Sequence, residues 1–302
     1  HRCAICYSSS RIKNTMTETR SKNKAKSRVL VSGATGFVGR KIIDALIVQD
    51  VEIVIVVRAS SLIQDSHING LYDVLYSEDI FLESVSWWAN VCKDVDIVVH
   101  AAWYAEPGKY LQSINNIDCL NGSLNLARGA AAAKVKRFIG LGTCFEYEMS
   151  DAPLTVNNNQ YPLTLYASSK LSLYFLLNQF FELENIEFSW CRLFYLYGDG
   201  EDSRRFFPYL KQKLQQGEVA ELTSGLQVRD YMDVMDAGRV IATVALGSQS
   251  GVVNVCSGQA VTIRQIAENI ADDYGRRDLL KFGAREDNLM DPAFVVGVPN
   301  AI

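Results

Sequence analysis

The hydrophobic pattern of the chain changes period again and again. "RVLVS" (28–32) is a short apolar run followed by glycines, and "GRKIIDALIVQ" then spaces its apolar residues at helical intervals. "VEIVIVVR" (51–58) is almost continuously apolar, as a strand buried on both faces of a parallel sheet must be. The same kind of run recurs in "DVDIVVHAA" (94–102), "VKRFIGLGT" (135–143) and "IEFSWCRLF" (186–194), with the alanine-rich helical stretch "SLNLARGAAAAK" after the first of these. Strands alternating with helices imply right-handed crossovers, so the expected fold class is α/β with a doubly wound parallel sheet.

Past about residue 195 the alternation weakens. "DSRRFFPYLKQKLQQG" reads as a helix, residues 229–246 as a turn and a helix, "GVVNVCSG" (251–258) as a strand and turn, and "TIRQIAENIADDYG" (262–275) as a capped helix. These pieces predict a smaller C-terminal substrate lobe over the carboxyl edge of the sheet, where open α/β sheets bind ligands. The expected division is a disordered tail at 1–27, a dinucleotide-binding core at 28–195, and a lobe at 196–302 that is interleaved with the core and truncated at its C-terminus.

Composition narrows the classes. With 302 residues, 48% of them hydrophobic, the chain can bury a large core. A net charge of -4 gives no electrostatic footprint for nucleic acid, and no apolar run reaches the ~18 residues of a membrane span. The seven cysteines are odd in number and dispersed, which reads as buried thiols in a reducing, cytoplasmic setting. Residues 1–27 are polar and basic, without the apolar centre of a signal peptide, and Met16 is the expected natural start. Cys3 and Cys6 form a lone CxxC; with no second pair and three histidines in all, no metal site is expected.

Candidate chemistry begins at "SGATGFVG". Gly33, Gly36 and Gly39 fall between a strand and a helix in the first βαβ unit, where a sharp turn, a pyrophosphate and close helix packing all exclude side chains. The helix N-terminus then offers free N–H groups to phosphates. At the end of the second strand, where NAD binders usually carry an acid for the ribose 2′-OH, stand Val57, Arg58, Ala59, Ser60 and Ser61. A guanidinium and hydroxyls suit a 2′-phosphate, so NADP(H) is expected over NAD(H), which stays possible. In "LYASSK", Tyr166 and Lys170 are four apart and can face one way on a helix, which alone does not make them a proton-transfer pair.

In combination, GxxGxxG, the "HAA" of His100–Ala102, Thr143 four residues before Tyr147, YxxxK, "RLFYLYG" (192–198), "RDY" (229–231) and "NVCSGQAVTIRQIA" (254–267) resemble the extended short-chain dehydrogenase/reductase family, in particular its nucleotide-sugar epimerase/dehydratase branch. The resemblance spans roughly residues 28–298 and implies a Rossmann-like core. It implies that Tyr166 is the general acid/base, that Lys170 lowers the phenol's pKa and holds the nicotinamide ribose, and that Thr143 binds the reacting oxygen. The cofactor contacts it implies are Gly33, Thr35, Gly36, Phe37, Val38, Gly39, Asp79, Ile80, Ala101, Ala102, Tyr166 and Lys170, to which Arg58 is added. Substrate contacts are expected from Trp103, Thr143, Arg229 at the diphosphate, and Arg204 or Arg205. The family often has Asn where Tyr195 and Cys119 stand.

Family dehydratases carry an Asp-Glu pair directly after the Thr, whereas here Cys144 and Phe145 follow. Glu146, one position later along a strand, is expected to point to the opposite face. Dehydration is therefore disfavoured. With NADPH as donor, the resemblance implies reduction of a nucleotide-linked 4-keto-6-deoxyhexose, with hydride to C4 and Tyr166 donating the proton. The alternatives are a nucleotide-sugar 4-epimerase with bound NAD and a non-catalytic NADP(H)-sensing module. Cys144 is not expected to be a nucleophile, and His100 is expected to be packed. The helix "YASSKLSLYFLLNQFFELE" has apolar residues (Leu173, Phe175, Leu176, Leu177, Phe180, Phe181) beyond one face, so a homodimer is expected.

Overall fold

The computed structural model describes residues 26–60, 72–288 and 291–302. Cys3, Cys6, Met16, Ser61 and nearly all of the expected tail lie outside the described residues. Six strands of the main sheet come from the first two-thirds of the chain: β1 (Ser27–Ser32), β2 (Val51–Arg58), β3 (Asp73–Ser77), β4 (Ile97–His100), β5 (Arg137–Thr143) and β6 (Glu187–Leu193). The seventh, Gly251–Val255, pairs with β6 at the edge. The order is seventh strand, β6, β5, β4, β1, β2, β3, and every pairing is parallel.

Helices cover both faces: α1 (Phe37–Ile47), α2 (Val85–Val91), α3 (Asn115–Ala132), α4 (Leu165–Glu184), α5 (Phe206–Gln216), α6 (Val234–Leu246) and α7 (Ile263–Tyr274). The pleat sorts β1 between two cores. Val29 and Val31 pack with Ile42 and Leu46 of α1 and Ile241 of α6, while Leu30 packs with Trp88, Leu126 and Leu177 on the opposite face. Each such fully buried side chain contributes about 1.5–3 kcal/mol. The sequence reading did not identify β3 or α2. β3 is a half-exposed edge strand of five residues, and α2 is a seven-residue helix in which Trp88 alone is buried, so neither carries a strong apolar period.

A separate core joins α5 and α7 through Phe207, Leu210, Leu214, Ile266, Ile270 and Leu279. Between those helices the chain returns to the main sheet through α6 and the seventh strand, so the lobe is interleaved with the core in space. α7 starts with a capping box in which Thr262 and Gln265 bond each other's backbone N–H groups.

Candidate active site

From β1 the sheet grows one way to β2 and β3, then the other way to β4, β5 and β6. The crevice at this reversal opens at the carboxyl ends of β1 and β4, where Gly33 and Ala101 lie. Gly33 has φ +74°, and a Cβ on it would stand 2.5 Å from the Ala102 nitrogen. A Cβ on Gly39 would overlap the Gly33 carbonyl, so these two glycines are required by the protein's own backbone. Gly36 differs: its Cβ would meet only the Gly33 oxygen, at 3.3 Å. It precedes α1 with no side-chain cap, which leaves the first N–H groups of the helix for an anion.

Two cavities adjoin over this turn. One, of about 680 Å³, runs from Gly33, Thr35 and Gly36 past Ala101 and Ala102 to Arg58, Asp79 and Ile80. The other, of about 650 Å³, runs from Gly36, Phe37, Val38 and Gly39 to Thr143, Tyr166 and Lys170. They share Gly33, Gly36, Ala101, Trp103 and Ala105. Every residue expected from the sequence to contact a cofactor therefore lines one of them. The open glycine turn, the uncapped helix end and the elongated double cavity fit a dinucleotide.

Thr143 ends β5, and Tyr166 and Lys170 occupy the first turns of α4, which starts with the Thr164 hydroxyl accepting the Ala167 N–H (3.1 Å). Thr143 and Tyr166 line the same wall of the second cavity, where the Thr143 side chain acts to lower the phenol's pKa. The rings of Tyr110 and Trp103 meet the Tyr166 ring edge-on, with centroids 4.8 and 6.5 Å away. The Lys170 Nζ donates to the Leu141 carbonyl (2.7 Å) and lies 3.8 Å from the centre of the Trp103 ring. Burial pushes this ammonium down to about 7, with Cys119 and Glu146 acting in the opposite direction.

The phenol behaves differently from the sequence expectation. Desolvation pushes Tyr166 up, the neighbouring Tyr110, Glu146 and Cys144 push the same way, and the Thr143 side chain offsets part of the rise. Lowering of the phenol by Lys170 does not prevail among the chain's own groups, because the lysine is itself desolvated and directed at a carbonyl.

Glu146 also departs from the expected strand alternation. Residues Cys144–Glu146 form a 3-10 turn and not a continuation of the strand, so no alternation of faces applies. The turn buries Glu146 completely beside Arg192, whose Nε donates to it at 2.6 Å. Cys144 is buried too, and burial pushes its thiol up to about 12. No acid next to Thr143 is thus open to the cavity.

His100 is packed, as expected. Ser123 donates to the Cys119 carbonyl (2.6 Å) and so accepts from His100 Nε2 (2.7 Å); Nδ1 then accepts from Ser32 (2.7 Å). Burial, with Lys170 nearby, pushes the ring down to about 3, so it stays neutral.

Of the three arginines named for substrate, Arg204 and Arg229 line neither cavity. Arg204 is half exposed and turned outward to Asp202 (2.8 Å) and Glu106 (3.6 Å). Arg229 is 2% exposed, bonded to Asp291 (2.7 Å) and to the Val228 carbonyl (2.8 Å). Arg205, the residue preceding α5, lines the cavity, and its charge offsets part of the rise that burial causes in the Tyr110 phenol. Tyr110, Glu201 and Tyr231 also line it and were missed. The doublet Arg204–Arg205 was visible, but which one faces inward depends on the turn into α5. Tyr195 lines the same wall, its hydroxyl buried with no hydrogen-bond partner among the described residues.

Comparison with known proteins agrees with this geometry. The dTDP-6-deoxy-L-talose 4-dehydrogenase (NAD(+)) of Aggregatibacter actinomycetemcomitans is 22% identical over 251 residues, covering 82% of this chain and 90% of that protein. CDP-abequose synthase of Salmonella typhimurium is 25% identical over 231 residues, covering 72% and 70%. Among solved structures, UDP-N-acetylglucosamine 4-epimerase from Methanobrevibacter ruminantium superposes with a TM-score of 0.78 at 25% identity, over 91% of this chain and 90% of that one. The profile of the NAD dependent epimerase/dehydratase family matches residues 29–256, which include the glycine turn, Thr143, Tyr166, Lys170 and the seventh strand. The parallel sheet, the double cavity at its switch point and this match together make the chain a member of the NAD dependent epimerase/dehydratase family.

Proposed function

We propose that this protein is an NADPH-dependent reductase of a nucleotide-diphosphate-linked 4-keto-6-deoxyhexose. The observation that carries the reading is the meeting of Thr143, Tyr166 and Lys170 in one cavity wall beside the glycine turn, with no available acid after Thr143. A bound nicotinamide supplies the hydride. Thr143 and Tyr166 hold the sugar's C4 oxygen between two hydroxyls, and Tyr166 delivers the proton that the oxygen needs when C4 is reduced. A phenol whose pKa is pushed up stays protonated at neutral pH, which suits donation in the reductive direction. Lys170 anchors the cofactor's ribose and supplies positive charge beneath the phenol.

Arg58 supports the choice of NADPH. It is exposed at the end of β2, lines the cavity with Ser60, and makes no ion pair among the described residues. Arg205 replaces Arg204 as the cation assigned to the substrate side, and Trp103 flanks the sugar. The names of two similar proteins, a 6-deoxytalose 4-dehydrogenase and an abequose synthase, support a deoxysugar nucleotide as substrate class.

We infer a homodimer through α4. Leu173, Leu177 and Phe181 are buried against the sheet, while Phe175 and Leu176 are each 51% exposed and Leu183 is 81% exposed. Light scattering at micromolar concentration tests this, and a monomer there overturns it. The five described cysteines are all free and buried, which supports a reducing, cytoplasmic setting. Among the described residues no helix is long and apolar enough to cross a membrane.

The direct test offers purified protein NADPH with a panel of 4-keto-6-deoxy nucleotide sugars. Loss of nicotinamide absorbance with formation of the 4-hydroxy sugar is the expected result. Interconversion of nucleotide-sugar epimers with bound NAD, and no NADPH consumption, makes the protein a 4-epimerase instead. Cofactor binding without either turnover leaves the sensing module.

A further inference from the structure

The buried pair Glu146–Arg192 lies behind Thr143, outside the cavity. Both side chains are fully buried. The Glu146 carboxylate accepts from three donors: Arg192 Nε (2.6 Å), the single Trp190 indole N–H shared by both its oxygens (3.0 and 3.1 Å), and the backbone N–H of Thr143 (2.9 Å). In return, the Thr143 hydroxyl accepts the Phe145 N–H (3.3 Å), completing a capping box around the 3-10 turn. Accepting that N–H leaves the Thr143 hydroxyl proton free to donate.

The surroundings are shaped to admit this carboxylate. A Cβ on Gly142 would stand 2.5 Å from Glu146 Oε1 and would overlap the Trp190 nitrogen. A Cβ on Gly140 would stand 2.5 Å from the Trp190 ring. In the β5–β6 register these two glycines lie opposite Trp190 and Arg192. The other end of Arg192 is covered by the ring faces of Tyr147 (4.3 Å) and Tyr174 (5.4 Å), and its Nη1 and Nη2 have no hydrogen-bond partner among the described residues.

As a stability device this is a poor one. Two ions have been taken out of water, one is incompletely bonded, and well-packed apolar residues in the same volume are often as stable or more so. What apolar residues cannot do is accept the Thr143 N–H. We propose that Glu146, held by Arg192, is a positioning residue that fixes Thr143 so that its hydroxyl is aimed at Tyr166 and the reacting oxygen. Glu146 touches neither substrate nor cofactor. Its charge also reaches Tyr166 and Lys170, adding to the rise of the phenol and opposing part of the fall of the ammonium.

The inference rests on the reductase reading for its kinetic arm only. Two paired variants separate bonding from charge. Glu146→Gln with Arg192→Met keeps the acceptor for Thr143 and removes both charges; Glu146→Leu with Arg192→Met removes the acceptor as well. Replacing both members avoids leaving one ion buried alone. For the Leu/Met variant the expected result is a fall in kcat of tenfold or more, with the dissociation constant for NADPH within threefold and thermal stability near the parent's. The Gln/Met variant should recover most of that kcat. A Leu/Met variant that keeps the parent's kcat overturns the proposal, as does one whose kcat falls only in step with melting temperature and cofactor affinity.

A crystal structure of the Leu/Met variant supplies the arm that needs no substrate. The Thr143 Oγ1 is expected to be displaced relative to the Tyr166 hydroxyl. An unmoved Thr143 overturns the proposal even if the parent reduces no keto-sugar, whereas an inactive parent with a displaced Thr143 in the variant counts against the reductase reading alone. Should the paired variants fail to fold, Glu146→Asp keeps the charge pair and withdraws the carboxylate by one methylene. It is expected to show the same loss of kcat, and an unchanged kcat overturns the proposal.

Discussion

Lys170 and Trp103 meet face to face, with the ammonium 3.8 Å from the indole centre and its bond directed at the Leu141 carbonyl. The indole is itself fixed, because its N–H donates to the buried Asn116 Oδ1 at 2.8 Å. A ring face is a weak substitute for water around a cation. The lysine therefore sits at the junction of the two cavities with its charge only partly compensated, and its pKa shows it.

That depression sets a pH dependence of stability. Lys170 titrates at about 7 in the folded chain, against 10.5 as its ordinary value. Below about 7 the lysine is protonated folded and unfolded, and the full cost of burying its charge is present. Between these values the unfolded chain holds the extra proton, so this group makes stability rise with pH through that window. Urea unfolding with no cofactor added should show the parent gaining stability relative to Lys170→Met from pH 7 to 10. Parallel curves would contradict the assignment.

Tyr166→Phe removes the proton donor and leaves the packing of Tyr110 and Trp103 against the ring. We expect kcat to fall about a hundredfold or more, the usual scale for a general acid. NADPH binding, followed by fluorescence quenching, should change no more than a few-fold. Full turnover in this variant would remove Tyr166 from the chemistry.

Arg58→Ala tests the cofactor choice. A charge-assisted hydrogen bond is worth about 1.5–3 kcal/mol, so losing one to a 2′-phosphate should raise the KM for NADPH by roughly tenfold or more. The KM for NADH should hardly move. Equal effects on both would assign Arg58 an ordinary solvated role.

The glycines of the turn divide into two kinds, and alanine separates them. Gly39→Ala forces a methyl onto the Gly33 carbonyl and should destabilise the fold on the order of 1–3 kcal/mol, read as a lower melting temperature. Gly36→Ala meets the Gly33 oxygen alone, at 3.3 Å, and should leave the melting temperature nearly unchanged. It should weaken dinucleotide binding, since its methyl stands where a phosphate would approach the backbone. A Gly36→Ala protein with full cofactor affinity would place the phosphates elsewhere.

Much of this protein was legible in its residues taken in order. Strands such as Val51–Arg58 announce themselves because a strand covered on both faces has to be apolar throughout. The turn at Gly33 could be named from its place between a strand and a helix, whereas Thr143, Tyr166 and Lys170 could be named only through the combination of motifs that carries the family resemblance. Other features exist only once distant segments meet. Glu146 turns inward because Arg192 and Trp190, more than forty positions on, supply donors and Gly142 leaves room. Arg229 is held by Asp291, and Arg205, not its neighbour, enters the cavity. The pKa directions of Tyr166 and Lys170 likewise follow from burial, a property of the assembled volume. Periodicity reports which side of an element is covered; only packing decides what covers it, and hence which charges are left facing a ligand.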